Sequence, residues 1–372
     1  MQFKMTILTP VHIATGNKKP SFLYNRTNNN LKCYNFEELL KQIPVERFFS
    51  FNSNHSGKKD EFNNLFKDID YNLAKESYKL RCFENNKKDV SEQIKALTKP
   101  IIPGSTLKGT LIRPIIYKIL KQNNDKIISI LNDPSLNKEE FDKQLFNKLF
   151  DNNFDAMFKL FSSCLICHDL CFSKMILCKS LRLNISGKYN KCFECLECID
   201  IDQAIIDEFI KIDEINKDYF TKKVAMFPQY KILLEFLEID NLMQACCNYY
   251  EEIIEDDKKY FIDDIYSLFI KNKFDQRDQI IDYLENLELD DKNSIILRLG
   301  NSTNYFYKTV TMFIKKYHND FYRQNFELIF MPVKLKGKPR ALPNYKTMPK
   351  TRTVLVSGKK YYLGGFVKIE KC

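Results

Sequence analysis

The sequence predicts an α+β fold, and three observations predict it. Short β-branched and aromatic runs alternate with helix-period segments along the 372 residues. The glycine fingerprint that opens a doubly wound nucleotide-binding sheet is missing. No segment repeats at the roughly 20–50-residue period of a solenoid.

The first strand covers Phe3 to Leu8 and enters a turn at Pro10. Residues 17–60, with NRTNNN and FNSNHSGKKD, read as a polar, loop-rich stretch. Residues 61–97 read as patchily helical, so about 17–97 is expected to be an insertion, ended by the prolines of KPIIPGS. A helix is expected from Ser105, a favoured N-cap, with Leu107, Leu111, Ile115 and Ile119 four apart. Pro114 falls inside it and predicts a kink or an irregular first turn. Residues 137–161 read as another helix. CLICHDLCF, KMILCKSLRLNIS and CFECLECIDID read as strands, and 203–218 as a helix. A long acidic, aromatic helical region follows at about 230–290, then a β-rich end with ELIFMPVKL, RTVLVS and YYLGGFVKIE. The expected organisation is a core over 1–215, an acidic helical region over 216–290 and a basic β-rich part over 291–372.

Composition narrows the class. At 44% hydrophobic and 13% aromatic residues the chain can bury a large core. No apolar run reaches the roughly 18–20 residues of a membrane span, and the N-terminus lacks a signal-peptide layout, so a cytoplasmic protein is expected. Its twelve cysteines then read as reduced thiols. The net charge of +10 is uneven: residues 331–372 hold eleven Lys/Arg against Glu370 alone, whereas 199–291 hold 24 Asp/Glu against 10 Lys/Arg. Such asymmetry suits a protein with one face on a polyanion.

Four segments carry the motifs: LTPVHIATG (8–16), IPGSTLKGTLIR (102–113), LRLGNSTNYFYKTV (297–310) and MPKTRTVLVSGKKYYLGGFVKI (348–369). In IPGSTLKG, Gly104 and Gly109 allow close backbone approach, and Ser105 and Thr106 offer hydroxyls. A helix starting there directs unpaired N–H groups at its visitor, and Lys108 and Arg113 add charge, which favours phosphate. Lys precedes the second glycine and no GK[ST] follows, so this is not a nucleotide P-loop. Arg298, Gly300 and Lys308, with Tyr305 and Phe306, supply cations and stacking faces suited to single-stranded RNA. Arg352 is the expected phosphate ligand of the tail. Leu363-Gly364-Gly365 is expected to pack the last strand on the first helix.

In this order the four segments resemble the RAMP superfamily, and in particular the Csm-type subunits at the far end of type III-A CRISPR complexes. The resemblance implies a RAMP-type, RNA-recognition or ferredoxin-like core with a four-stranded antiparallel sheet and helical insertions. It implies a non-catalytic subunit, without cofactor, that binds crRNA and other RAMP subunits and attracts host nucleases for crRNA trimming. It shifts His12, with Thr15 and Gly16, towards a backbone or ribose contact. Lys108, Arg298 and Arg352 are expected to gather on one face.

Cys164, Cys167 and Cys171 around His168, then Cys192, Cys195 and Cys198, have a spacing that zinc or an iron–sulfur cluster could use. Under the resemblance they fall on strands, with Asp169 and Glu194 at the family's acids, and need no metal. Asp60 and Asp68 lie where nothing matches, and the four histidines form no catalytic pair. Two alternatives stay open: a crRNA-processing endoribonuclease of the same superfamily that uses His12, and a metal-stabilised scaffold without an RNA role.

Overall fold

The computed structural model describes residues 1–53, 64–83, 88–133, 135–136, 141–184, 189–262, 277–287, 293–300, 303, 310–325, 334–335, 338–339 and 351–372. In chain order the strands are β1 (Phe3–Ile7), β2 (Ala14–Lys19), β3 (Tyr24–Thr27), β4 (Asn30–Tyr34), β5 (Glu76–Arg81), β6 (Val90–Gln93), β7 (Lys95–Ala96), β8 (Lys99–Ile102), β9 (Leu165–Cys167) and β10 (Leu170–Cys171). They continue as β11 (Met175–Asn184), β12 (Tyr189–Ile199), β13 (Ala204–Asp207), β14 (Ile210–Ile212), β15 (Ser294–Arg298), β16 (Lys334–Leu335), β17 (Lys338–Pro339), β18 (Thr351–Ser357), β19 (Lys360–Leu363) and β20 (Phe366–Lys371).

The two chain ends build one sheet. β1 pairs antiparallel with β20, and the order β13-β1-β20-β15 is antiparallel throughout. The expected four-stranded antiparallel sheet of an α+β fold is therefore present. Alternation in FKMTI turns Phe3, Met5 and Ile7 into the core, while Lys4 and Thr6 are half-buried on the other face.

Against this sheet lies the Gly104–Gln122 helix, which buries Leu107, Leu111, Ile115 and Ile119 as the four-residue spacing predicts. It runs unbroken through Pro114. The ring deprives the Thr110 carbonyl of its usual N–H donor four residues on. The Tyr250 hydroxyl donates to that carbonyl instead, at 3.3 Å, from the Ile239–Ile262 helix packed alongside. The helix begins one residue earlier than expected. Pro103 stands at the N-cap and Ser105 inside the first turn, because the Gly104 N–H is capped by the Asp169 carboxylate at 2.7 Å.

A second, nine-stranded sheet is centred on the β11–β12 hairpin, with β6 and β2 beyond β12, β5, β4 and β3 beyond β11, and β18 and β19 on the other half of β11. The 17–97 stretch thus supplies β3, β4, β5, β6 and the end of β2 to this sheet. Its Phe22, Leu31, Leu39, Phe66 and Leu80 form a core of their own against Met175, Leu177 and Cys195. Its apolar residues are too few per segment to announce strands, and they close a core only with β11 and β12.

Three local expectations are corrected. Residues 203–218 form β13, β14 and only the start of a helix at Glu214–Met226, whose N-cap is Asp213. The 137–161 stretch holds two helices, Phe141–Leu149 and Phe154–Cys164, separated near Asp151, whose φ of 143° no helix admits. The acidic region is no appended module: the Ile239–Ile262 helix buries Leu242, Cys246, Tyr250, Ile253 and Phe261 in the interior. Deleting 230–290 would therefore remove part of the core. No helix among the described residues is long and apolar enough to cross a membrane.

Candidate nucleic-acid interface

The four motif segments meet around one turn, residues 8–16. The Leu8 and Thr9 N–H groups donate to the Phe366 carbonyl, the Thr9 hydroxyl accepts from the Phe366 N–H, and the Gly365 N–H donates to the Pro10 carbonyl at 3.0 Å. A side chain at Gly365 would overlap the Leu299 carbonyl, and one at Gly300 the His12 carbonyl. The last glycine turn therefore packs on the end of β15, not on the first helix. Gln93, fully buried, ties the second motif in: its side chain accepts from the Ile13 N–H at 2.7 Å and donates to the Ile101 carbonyl at 3.0 Å. Gly300 has φ +78°. Gly300→Ala should cost about 3 kcal/mol through strain and overlap, checked by urea denaturation.

His12 is 1% exposed. Burial holds its imidazole below the ordinary value, so it is neutral, and its Nδ1–H donates to the Glu197 carbonyl at 2.6 Å. Nε2 then accepts from the Ser91 hydroxyl at 3.3 Å. The expected ribose contact is corrected: in this structure both ring nitrogens are engaged inside the protein. The Glu197 carboxylate itself, 0% exposed, accepts from Tyr24 Oη at 2.8 Å, Tyr78 Oη at 2.5 Å, the Gln93 N–H at 3.1 Å and Lys95 Nζ at 2.5 Å. Glu194, expected at the family's acid, is partly exposed and pairs with Lys18 at 2.6 Å.

Arg298 and Arg352 are corrected likewise. They are 1% and 3% exposed and converge on Asp257, which is 0% exposed. Arg298 pairs with one carboxylate oxygen, and Arg352 Nε reaches the other at 2.6 Å while its Nη2 reaches Asp256 at 2.8 Å. Arg298 also stacks on Phe366, and Arg352 on Tyr260. These guanidiniums serve an internal ion cluster and not a phosphate, so the expected single-face cradle of Lys108, Arg298 and Arg352 does not exist. Gly300 is a packing glycine. Lys308, Tyr305 and Phe306 lie outside the described residues.

The open positions are fewer. Thr15 and Gly16 are exposed, with Gly16 at φ +92° facing free space. At the helix tip Ser105 is exposed, Thr106 and Lys108 are half-buried, and Gly109 also faces open space. Gly104 is different: it packs on the Cys167 carbonyl, and its N–H is already taken by Asp169. Arg113 lies five residues beyond Lys108, roughly 140° around the helix. There it lines a cavity with Tyr117, Phe146 and Tyr249, away from the tip.

Cys164, Cys195 and Cys198 take up buried packing positions, and Cys167 is half-buried. Burial pushes the Cys164 and Cys167 thiols up to about 11 and about 12, with Lys108 opposing the rise. Cys195 packs into the 22–82 core, and Cys198 into a cluster on the opposite face of β12. Among the described residues no three metal-ligating side chains come together. Cys171 is exposed, Cys192 lies on β12, and Asp60 lies outside the described residues. Asp68 pairs with Arg47.

The RAMP superfamily profile matches residues 4–307, a span that holds the first two motif segments and Arg298 and Gly300 of the third. The chain belongs to the RAMP superfamily. Its fold is similar to that of a chain in the cryo-EM structure of a Csm–crRNA–target RNA ternary complex of a type III-A CRISPR–Cas system, with TM-score 0.66 and 15% identity over 100% of both chains. It is also similar to the crystal structure of T. onnurineus Csm5, with TM-score 0.51 and 16% identity over 85% of this chain and 95% of that one. No curated protein sequence matches it.

Proposed function

We propose that this chain is a non-catalytic RNA-binding subunit of a type III-A CRISPR effector complex that caps the 3′-end side of the crRNA. The carrying observation is the open tip of the Gly104–Gln122 helix. Ser105, Thr106, Lys108 and the bare backbone of Gly109 lie there, joined through Gln93 to the turn that exposes Thr15 and Gly16. Hydroxyls, an ammonium and accessible backbone are the groups that fix a ribose-phosphate chain without reading its bases. Membership in the superfamily and likeness in fold to chains of Csm assemblies support the reading. Its partners would be crRNA, the neighbouring RAMP subunits and host nucleases that trim the crRNA.

The non-catalytic part rests on His12. An endoribonuclease of this superfamily would need that imidazole beside a 2′-hydroxyl, and here it is neutral and enclosed by Glu197 and Ser91. Purified protein incubated with repeat RNA, without metal, is expected to leave it intact. Binding is expected to weaken steeply with salt. Lys108→Ala should lower affinity for all sequences alike and reduce the slope of log affinity against log salt by roughly 0.7, one phosphate contact on a single strand. RNA affinity that is flat from low to high salt would overturn the proposal.

A further inference from the structure

Arg113 belongs to the second motif but lies away from the helix tip, and it is half-buried. With Asp142 it lines a cavity of about 90 Å³ at the meeting of four helices. Tyr117 comes from the Gly104–Gln122 helix, Phe146 from Phe141–Leu149, Tyr249 from Ile239–Ile262, and Val310 precedes Thr311–Tyr317. Arg298 and Arg352, the buried arginines, share the Asp257 carboxylate. Arg113 has no such partner. Among the described residues neither Arg113 nor Asp142 forms an ion pair or a hydrogen bond, although both border the same space. Asp142 stands in the first turn of its helix, where the dipole favours an acid. That position accounts for the aspartate and leaves the guanidinium unbalanced. A cation that gives up part of its hydration and gains no partner inside the chain marks a place for a ligand.

The walls narrow the class of ligand. Tyr117, Phe146 and Tyr249 are buried and offer ring surface, and the Tyr117 hydroxyl already donates to the Glu252 carboxylate. A phosphate or a simple carboxylate would be repelled by Asp142, and among the described residues no second cation lines the cavity to offset it. An α-amino acid carries both charges on one carbon, too close together for two groups that do not reach each other. A flat ring with acceptors on one edge and N–H donors on another meets every condition. Nucleobases are such rings, and they stack on aromatic side chains. Guanine alone places two adjacent acceptors, O6 and N7, where a guanidinium fork takes both. Its N1–H and N2–H groups lie side by side and match the two oxygens of a carboxylate. Asp142 is exposed and marks the mouth, so the ribose can stay outside.

We infer that this cavity is a guanine-binding site, with Arg113 on the O6/N7 edge and Asp142 on the N1–H/N2–H edge. It is separate from the backbone binding proposed above, which guanine-free poly(U) tests independently. The test is equilibrium dialysis of the full-length protein against GMP, IMP, AMP, CMP and UMP, and against the trinucleotides UGU and UAU. GMP should bind at least about tenfold tighter than AMP, whose amino group turns a donor towards Arg113. IMP lacks the N2 amino group and should fall between them. Arg113→Met should lose about tenfold or more in GMP affinity. Its melting temperature should hold or rise, because no internal partner is lost. Asp142→Asn, at the exposed mouth, keeps the fold and should bind GMP no better than IMP. Retention of GMP by itself assigns a free nucleotide, and retention of UGU over UAU without GMP assigns a guanosine within a strand. Either result supports the site when both substitutions weaken it. Retention of neither GMP nor UGU overturns the inference, as does equal retention of all the mononucleotides and of both trinucleotides. Guanine binding that neither substitution changes overturns it as well. A lower melting temperature in Arg113→Met with GMP affinity intact would make the arginine structural and end the proposal.

Discussion

Asp257→Ala is expected to destabilise the protein by about 3–5 kcal/mol, because it leaves two buried guanidiniums without their shared counter-charge. Asp257 stands on the inner face of the Ile239–Ile262 helix, between Arg298 at the end of β15 and Arg352 near the start of β18. One carboxylate thereby pins strands of both sheets to one helix. Arg298 keeps a contact to the Gly364 carbonyl and Arg352 keeps Asp256, but Asp256 is partly exposed and its attraction is screened. Urea denaturation should show a lower midpoint with an unchanged slope, the sign of lost stability without lost compactness. The same ion cluster replaced as a whole, with Asp257→Leu, Arg298→Met and Arg352→Met together, should recover much of the loss, since desolvation opposes a buried ion cluster. A single substitution costing under about 1 kcal/mol would show that water reaches these arginines, and would return them to the list of phosphate ligands.

The two arginines show how far the sequence can be read. Their motif context is legible: Arg298 precedes the Leu299–Gly300 turn and Arg352 opens a strand, and both belong to segments that meet in space. Charge alone does not tell an internal arginine from an external one, and the deciding partner lies 41 residues from one and 95 from the other. A signal was nonetheless available. Asp257 falls on the apolar stripe of its helix, with Cys246, Tyr250, Ile253 and Phe261, where an acid has to be paired. Glu197 likewise sits among Cys195, Leu196, Cys198 and Ile199, a run buried on both faces of the strand, and its burial was readable from that run. Gln93, Tyr24 and Tyr78 were not readable, because they lie in polar segments whose burial depends on β12 arriving from far along the chain. The helix tip was legible as a motif, and only its cap was misplaced: Asp169 is 65 residues away from the N–H it satisfies.

Glu197→Gln is the second large effect expected, at about 3–5 kcal/mol. The carboxylate takes four donors: two tyrosine hydroxyls, the Gln93 N–H and the Lys95 ammonium. A carboxylate has lone pairs for all four on its two oxygens. An amide has one oxygen and presents N–H groups where the second stood, so at least one donor meets a donor. Lys95 has a side chain 6% exposed, and loses the charge that balances it, because its contact to Glu92 is long at 3.5 Å. The damage should be local. Tyr24 and Tyr78 belong to β3 and β5 of the 22–82 lobe, whereas Glu197 is on the central strand, so the carboxylate joins the lobe to the rest of the sheet. Hydrogen exchange should therefore accelerate in β3, β4 and β5 while β1 and β20 keep their protection. The His12 turn leans on the same residue through the Glu197 backbone carbonyl, which the substitution leaves in place, and its protection should hold. Uniform acceleration across both sheets would mean that the lobe and the core open as one unit, and that this carboxylate is not the joint between them.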